Sequence, residues 1–364
     1  MEELQKRFIS GIELNRHFFQ QVIKPLLDKH FPELKYAAGI LGEGSDVLGF
    51  DNPMSMDHNW GPHMRIFLED KDFKFKDKIS EMFRAELPKE FMGFPTNFTK
   101  PNEKAYLVQQ MKPITRGPVN HFIEFFTIKS FFEHYLGFNP YDKITYADWL
   151  TFPQQSLLEV TRGEVYFDLI GLNKIREKFK YFPDEVWMYI YGHEWGYLGD
   201  EEMYMGRSGE IGDELGSDLI ASRFANNVVK LCFLFEKQYI PYSKWIGTAF
   251  SRLEIANELT FPLFKMVTAK TWQEREEQMV KIYEVIGKKH NSLKITKQMP
   301  TVAKAEDRHH KILGARRYYD EISKNFLPFF KNLKYQMGSI DQFMACARVN
   351  YMNYVYREMV KIIH

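Results

Sequence analysis

The chain has 364 residues and a net charge of +1, because 49 Lys and Arg side chains face 48 Asp and Glu side chains. This balance argues against a dedicated nucleic-acid binder, which carries a basic excess. Two cysteines outside any CxxC pair argue against a thiolate zinc centre, and no stretch resembles a transmembrane helix or a cleaved leader. We therefore expect a cytoplasmic protein with no membrane partner.

The first third of the chain is predicted to mix helices and strands. Apolar residues recur at helical spacing in 8–30 and 71–87, and Pro25 is expected to kink the first helix or end it early. Prolines and polar residues between 93 and 118 indicate a long loop. Short apolar or alternating runs predict three strands, at 36–41, 63–68 and 119–127.

Helical periodicity dominates beyond residue 129. The predicted helices are 129–136, 156–161, 166–178, 184–198, 213–238, 243–258, 261–288, 304–332 and 339–362. We therefore predict the α+β fold class, with an α/β domain at residues 1–135 and a mostly helical domain at 136–364. A polar, Lys-rich stretch suggests a further boundary near 290–305. Five of the six Trp residues lie beyond residue 140, which predicts an aromatic core for the helical part.

A glycine-containing turn is predicted between the first two strands, within the sequence GEGSDVLGFDNPMSMDHNWGPHMRIFL of residues 42–68. Gly44 lets the backbone approach a ligand closely, and turn N–H groups together with the Ser45 hydroxyl suit triphosphate oxygens. On their own, these two residues favour a plain turn over a phosphate site. Arg65, on the second strand, is interpreted either as a phosphate contact or as a solvated strand residue.

Acidic and amide side chains around the same turn predict a metal site. Asp57 and Asn59 are two residues apart, so on a strand both side chains would point to one face and hold Mg²⁺. Glu124, in the third predicted strand, would complete a site for phosphoryl transfer. The alternatives are a surface or capping acid for Asp57, structural hydrogen bonding for Asn59 and an exposed strand position for Glu124.

Two groups of histidines invite a metal interpretation that the sequence does not favour. His58 and His63 lie beside the acids, but a spacing of five residues suits neither face of a strand, which argues against zinc. The segment EDRHH at 306–310 is interpreted as the solvated start of a helix.

These features resemble the polymerase-β-like nucleotidyltransferases, whose signature is an apolar strand, Gly-Ser, a short helix, Asp-x-Asp and a later acid. More closely, GSDVLGFDNPMSMDHNWGP is similar to a bacterial family of uncharacterised nucleotidyltransferase-like proteins that carry a C-terminal domain of unknown function. The resemblance implies ATP as substrate and Mg²⁺ (or Mn²⁺) held by Asp57, Asn59 and Glu124. The family pattern has a second Asp where this chain has Asn59, which removes one charge from the metal ligands.

The second half adds candidates within GRSGEIGDELGS, residues 206–217. If this loop folds over the active site, Arg207 reaches a triphosphate and Asp213 or Glu210 acts as a base. The alternative is a turn in which Ser208 or Asp213 caps the following helix. Lys244, beside Trp245, is either a further phosphate contact or part of a packed corner.

The predicted reaction transfers a nucleoside monophosphate from an NTP, ATP in the first place, to a hydroxyl or amine, with Asp57, Glu124 and Asp213 as catalytic residues. Positioning and charge neutralisation would supply most of the rate. The near-zero net charge favours a small-molecule or protein acceptor over nucleic acid. One alternative is a catalytically degenerate nucleotide-binding protein, which Asn59 suggests. The other is a protein-interaction module of toxin–antitoxin type.

Overall fold

The computed structural model describes residues 8–101, 108–305 and 309–343, together with residue 358. Its contacts group into two units. The first comprises the described residues of Met1–Ile144 and Ser156–Lys180, and the second those of Thr145–Gln155 and Tyr181–His364. Strands and helices make up the first unit, whereas helices dominate the second. The predicted α+β class is therefore confirmed.

A four-stranded sheet organises the first unit. The strands of this unit are β1 (Tyr36–Ile40), β2 (His63–Leu68), β3 (Glu90–Phe91), β4 (Phe94–Pro95), β5 (Phe122–Phe126) and β6 (Glu164–Asp168). β3 and β4 form a small hairpin, and the other four form a sheet in the order β5-β2-β1-β6. β1 is antiparallel to both neighbours, while β2 is parallel to β5. This register places Arg65 of β2 between Gly39 of β1 and Glu124 of β5.

The first predicted helix does not end at its proline. A π-helical turn at Phe19–Ile23 joins two α-helical segments, and the Lys24 N–H donates to the Phe19 carbonyl five residues earlier. This shift precedes Pro25, which has no N–H to donate, and the helix continues to His30. The helices of the first unit are Gly11–Phe18, Lys24–His30, Lys76–Glu86, Ile128–Leu136 and Leu172–Arg176, and Gln154–Thr161 crosses the division between the units.

The apolar spacing of the first helix explains where it packs. Leu14, Phe18 and Leu27 are at most 1% exposed and share a core cluster with Ile66 of β2 and Ile79 of the 76–86 helix. Each side chain of this size contributes about 1.5–3 kcal/mol when it is fully buried. The cluster therefore fixes one face of the sheet and leaves the ends of β1 and β2 to position polar groups.

The predicted helix at 166–178 is wrong in its first part. Residues 164–168 form β6, which pairs with β1 in register Ala37↔Asp168 and Ala38↔Phe167. Both carboxylate oxygens of Asp168 then accept backbone N–H groups of the next turn, the last of them from Asn173 at 2.9 Å. The short helix Leu172–Arg176 follows from this capping.

Helices and one small hairpin make up the second unit. Its helices are Tyr146–Thr151, Asp184–Glu201, Tyr204–Glu210, Glu214–Phe235, Ile246–Phe250, Ala256–Val267, Trp272–Leu293, Ala315–Ser323, Pro328–Lys331 and Ile340–Phe343. Strands β7 (Ala303–Lys304) and β8 (Lys311–Ile312) pair antiparallel. The single helix predicted at 261–288 is interrupted, because Thr271 and Glu274 form a capping box that starts a new helix.

Two other predicted helices are also shorter than expected. Only Ile246–Phe250 of 243–258 is helical before the helix that begins at Ala256, and β7 and β8 interrupt the region predicted as helix 304–332. Most of the helix predicted at 339–362 lies outside the described residues.

The predicted aromatic core of the second unit is confirmed. Trp195 and Tyr318 are fully buried, and their rings stack with centroids 4.2 Å apart. Glycines on the 184–201 helix permit this close packing against the 315–323 helix, since a Cβ at Gly199 would lie 2.6 Å from the backbone nitrogen of Arg316. Within the part of the chain that is described, none of the helices has both the length and the apolarity needed to cross a membrane.

Candidate functional site

A tight turn follows β1 and brings two glycines beside buried charged groups. Gly42 and Gly44 both have positive φ, at 86° and 140°, a region that favours glycine. A side chain at Gly42 would meet the Tyr135 hydroxyl and would lie 2.8 Å from Nη1 of Arg65. The Gly42 N–H donates to the Glu159 carbonyl at 2.7 Å. The turn is therefore anchored at its start and packs closely against Tyr135 and Arg65.

Asp46, for which the sequence alone predicted no role, is buried within this turn. One carboxylate oxygen, Oδ2, lies 2.7 Å from Nε2 of His63, and the other accepts the Val47 N–H at 2.9 Å. The His63 backbone N–H in turn donates to Asn15 of the first helix at 2.7 Å. Asp46 thus ties the turn to the beginning of β2. Its place directly after Gly-Ser was the signal for this role.

Arg65 and Glu124 form the charged centre of the site. The Arg65 side chain is only 6% exposed, and its Nε lies 3.1 Å from Oε2 of Glu124, which is 40% exposed. Neither Nε nor Nη1 of Arg65 makes a hydrogen bond with any residue that the structure describes. Burial lowers the pKa of the guanidinium, but nearby acidic groups, Tyr135 and Glu124 first, outweigh it and raise that pKa overall. The side chain is therefore a permanent buried cation that pairs with Glu124 through Nε and keeps an unused donor at Nη1.

Asp57 and Asn59 do not lie on a strand, so that prediction is wrong. The Asn52 side chain caps a 3₁₀ turn at Pro53–Asp57, and β2 begins only at His63. Asp57 is 58% exposed and contacts His58, with 2.6 Å between Oδ1 and Nδ1. His58 is thus an exposed neighbour of the acid.

Asn59 holds a neighbouring loop through both its backbone and its side chain. Its N–H donates to the Gln109 carbonyl, and its Oδ1 accepts the Gln109 N–H, both at 2.8 Å. Its φ of 49° lies in the left-handed region that Asn tolerates better than most residues. The side-chain oxygen that was predicted to face a metal therefore already has a structural partner.

Two of the three residues predicted to hold Mg²⁺ already have protein partners. Asn59 binds Gln109, and Glu124 is paired with Arg65. Among the described residues, no three carboxylate or imidazole groups come together at this turn. The Mg²⁺ assignment stays a prediction.

The three candidates of the second half lie in the second unit. Asp213 caps the 214–235 helix, and its Oδ1 accepts the Gly216 N–H at 2.8 Å, which is the structural alternative that the sequence suggested. Arg207 lies within the helix Tyr204–Glu210. The Lys244 ammonium stands 4.9 Å from the centre of the Trp245 ring. Their catalytic and phosphate-binding roles stay predictions.

Comparisons with known proteins add little about function. Residues 149–246 match a family model described as a domain of unknown function, DUF4037, which agrees with the expected uncharacterised domain. No curated protein matches the chain at a significant level. Among solved structures, the chain is similar to a nucleotidyltransferase-like protein from Exiguobacterium sibiricum, with 9% identity and a TM-score of 0.31. That match covers 96% of this chain and 90% of the other, and it carries no conclusion about function.

Proposed function

We propose that the first unit binds the Mg²⁺ complex of a nucleoside triphosphate, ATP in the first place, at the turn Gly42–Asp46 beside Arg65. The observation that carries this proposal is the buried guanidinium of Arg65, which pairs with Glu124 through Nε while its Nη1 makes no hydrogen bond with described residues. Removing a charged group from water costs several kcal/mol unless it is paired and hydrogen-bonded. Phosphate oxygens satisfy a guanidinium well because they accept several parallel N–H donors.

The glycine turn supports the same ligand. Gly42 has no side chain between the turn and Nη1 of Arg65, since a Cβ there would lie 2.8 Å from that nitrogen. Turns with such backbone angles can direct N–H groups toward an anion. Phosphate oxygens placed here would meet backbone donors and the guanidinium together.

Charge explains why the ligand is expected to carry its own cation. Arg65 interacts electrostatically with the carboxylates of Glu43, Asp46 and Glu124, so three acidic groups surround one guanidinium. A bare triphosphate would be repelled by these carboxylates at short range. The Mg²⁺ complex brings fewer negative charges, and we expect it to bind more tightly than free ATP.

Nucleotide binding should depend on Arg65. Calorimetric titration with MgATP is expected to show binding to the wild type and binding roughly 10- to 100-fold weaker for Arg65→Met, because charged hydrogen bonds contribute about 1.5–3 kcal/mol. Arg65→Lys should fall between, since Lys retains the charge but loses the planar fork. Arg84→Met, on the same unit, is the matched control and should bind like the wild type.

Thermal unfolding of each variant will show whether the buried substitution disturbs the fold. Equal affinities for the wild type and a folded Arg65→Met variant would contradict the proposal. Absence of binding at millimolar MgATP would favour the protein-interaction alternative.

A second candidate function is transfer of the nucleoside monophosphate to a hydroxyl or amine of a small-molecule or protein acceptor. The observation that favours it is the exposure of Asp57, which leaves this carboxylate accessible to a bound ligand. Asn59→Asp is an informative variant, because an aspartate there can still accept the Gln109 N–H and adds the charge that the resemblance implies.

Pyrophosphate release from ATP separates transfer from binding alone. Release by the wild type that is lost in Asp57→Asn would support transfer. Release by Asn59→Asp with none by the wild type would identify a nucleotide-binding protein that has lost turnover. Failure of both to release pyrophosphate would leave nucleotide binding as the function and reject transfer.

A further inference from the structure

A cluster of two histidines and two glutamates lies in the second unit, and the nucleotide proposal uses none of it. Glu210 ends the helix Tyr204–Glu210, and Glu276 lies in the helix Trp272–Leu293. His309 and His310 directly precede β8. The sequence alone was interpreted as a solvated helix start at 306–310. His310, however, is 2% exposed, and residues 306–308 lie outside the described part.

Three donor groups of this cluster converge. Nε2 of His309 lies 3.2 Å from Oε1 of Glu210, and Nε2 of His310 lies 3.2 Å from Oε2 of the same carboxylate. One donor atom from each of the three residues falls within 4.8 Å of the others. The Glu210 side chain is 21% exposed and His309 is 69% exposed, so the cluster is open to solvent on one side.

The orientation of the His310 side chain independently indicates a metal ligand. Its Nδ1 forms a 3.2 Å hydrogen bond with Oε1 of Glu276, which also accepts the Lys311 N–H. A carboxylate accepts here, so Nδ1 carries the proton, and in the neutral ring Nε2 presents its lone pair. That buried Nε2 makes no hydrogen bond with described residues and is directed at the Glu210 carboxylate. In that form a lone pair and a carboxylate face each other, which a cation between them would stabilise.

The packing around His310 holds this orientation. A Cβ at Gly206 would lie 2.6 Å from the imidazole, so only glycine leaves room for the ring. The Trp272 ring meets it edge to face, with centroids 5.4 Å apart. A histidine whose second nitrogen is held by a carboxylate is the usual arrangement at protein metal sites.

We propose that Glu210, His309 and His310 bind a divalent metal ion of the zinc class, with Glu276 as the residue that positions His310. Two imidazoles and one carboxylate suit Zn²⁺, and three protein ligands leave one coordination position for water or a ligand. The site shares no residue with the nucleotide site, so zinc binding and ATP binding are separate readouts.

Zinc titration of chelator-treated protein tests this site. We expect one Zn²⁺ per chain, and replacement by Co²⁺ should give visible ligand-field absorption that reports imidazole and carboxylate coordination. His309→Ala and His310→Ala should remove this binding. Glu276→Gln should weaken it by roughly 10- to 100-fold, the range for a residue that orients a metal ligand. His58→Ala is the matched control, because His58 also contacts a carboxylate but belongs to an exposed pair.

Two results would overturn the proposal. One is the absence of stoichiometric Zn²⁺ binding in the wild type, which would mean that the cluster is an imidazole held between carboxylates without a metal. The other is Zn²⁺ binding that stays unchanged in a folded His309→Ala variant. Circular dichroism of each variant distinguishes loss of the site from loss of the fold.

Discussion

Glu202→Ala is expected to lower the free energy of unfolding of the second unit by roughly 3–6 kcal/mol. The Glu202 carboxylate is buried and accepts three backbone N–H groups, from Leu313, Gly314 and Ala315, at 2.9–3.0 Å. These N–H groups lie at the start of the helix Ala315–Ser323, whose N-cap residue, Gly314, provides no side-chain cap. Each buried N–H left without an acceptor costs about 1–3 kcal/mol.

The neighbouring residue provides a matched control for this variant. Glu201 forms an ion pair with Arg223, whose side chain is 63% exposed, so Glu201→Ala should change stability by about 1 kcal/mol or less. Glu202→Gln should fall between the two, because an amide keeps one accepting oxygen and turns its NH₂ toward a backbone donor. Urea unfolding followed by circular dichroism measures all three variants. Similar losses for the two alanine variants would refute the capping role.

His290 is expected to make the second unit less stable as the pH falls from about 6.5 to about 4. Burial lowers the pKa of His290 to about 4, while an unfolded histidine titrates near 6.5. Between these two pKa values the unfolded chain binds a proton that the folded chain does not. The contribution of His290 to the free energy of unfolding is therefore fully present above the unfolded pKa and is lost as the pH falls toward the folded pKa. The imidazole is 1% exposed. The difference between the folded and unfolded pKa corresponds to about 3 kcal/mol of unfolding free energy.

His290→Gln isolates this contribution. The imidazole contacts the Tyr191 hydroxyl at 2.7 Å and the Thr296 hydroxyl at 2.8 Å, so the variant will be less stable at neutral pH as well. The informative quantity is the slope of the urea midpoint between pH 4 and 7, which should be flatter in the variant. Burial raises the pKa of Asp341 to about 6, which acts in the opposite direction, so only the difference from the wild type is diagnostic.

A second buried histidine extends the pH experiment. Burial also lowers the pKa of His193 to about 4, so a double variant at 193 and 290 should be flatter still. An unchanged slope in His290→Gln would show that this histidine does not carry the effect.

The sequence predicted three strands of the sheet but missed the fourth. β1, β2 and β5 have local apolar or alternating patterns that identify them without knowledge of their partners. β6 is half-buried along its whole length, and its residues run into a helical pattern. The secondary structure of these residues is decided by pairing with β1, which lies more than 120 residues earlier. Local spacing of apolar residues does not contain that information.

At the candidate sites too, the sequence identified residue types, whereas tertiary contacts decide where their side chains lie. The sequence suggested Gly44, Arg65 and Glu124, and the sheet register places the last two side by side. It placed Asp57 on a strand because an i, i+2 pair fits one, whereas the Asn52 cap forms a 3₁₀ turn instead. His310 was interpreted as solvated because its burial depends on residues far from it in sequence.

The alternation of the chain between the two units has a consequence for synthesis on the ribosome. The sheet of the first unit gains its edge strand only when β6 has been made, after residues 145–155 of the second unit. A nascent chain that ends at residue 144 therefore presents the backbone edge of β1, which can pair with another chain. The first unit is completed only after this insertion, and a fragment meant to fold by itself should retain residues 164–168.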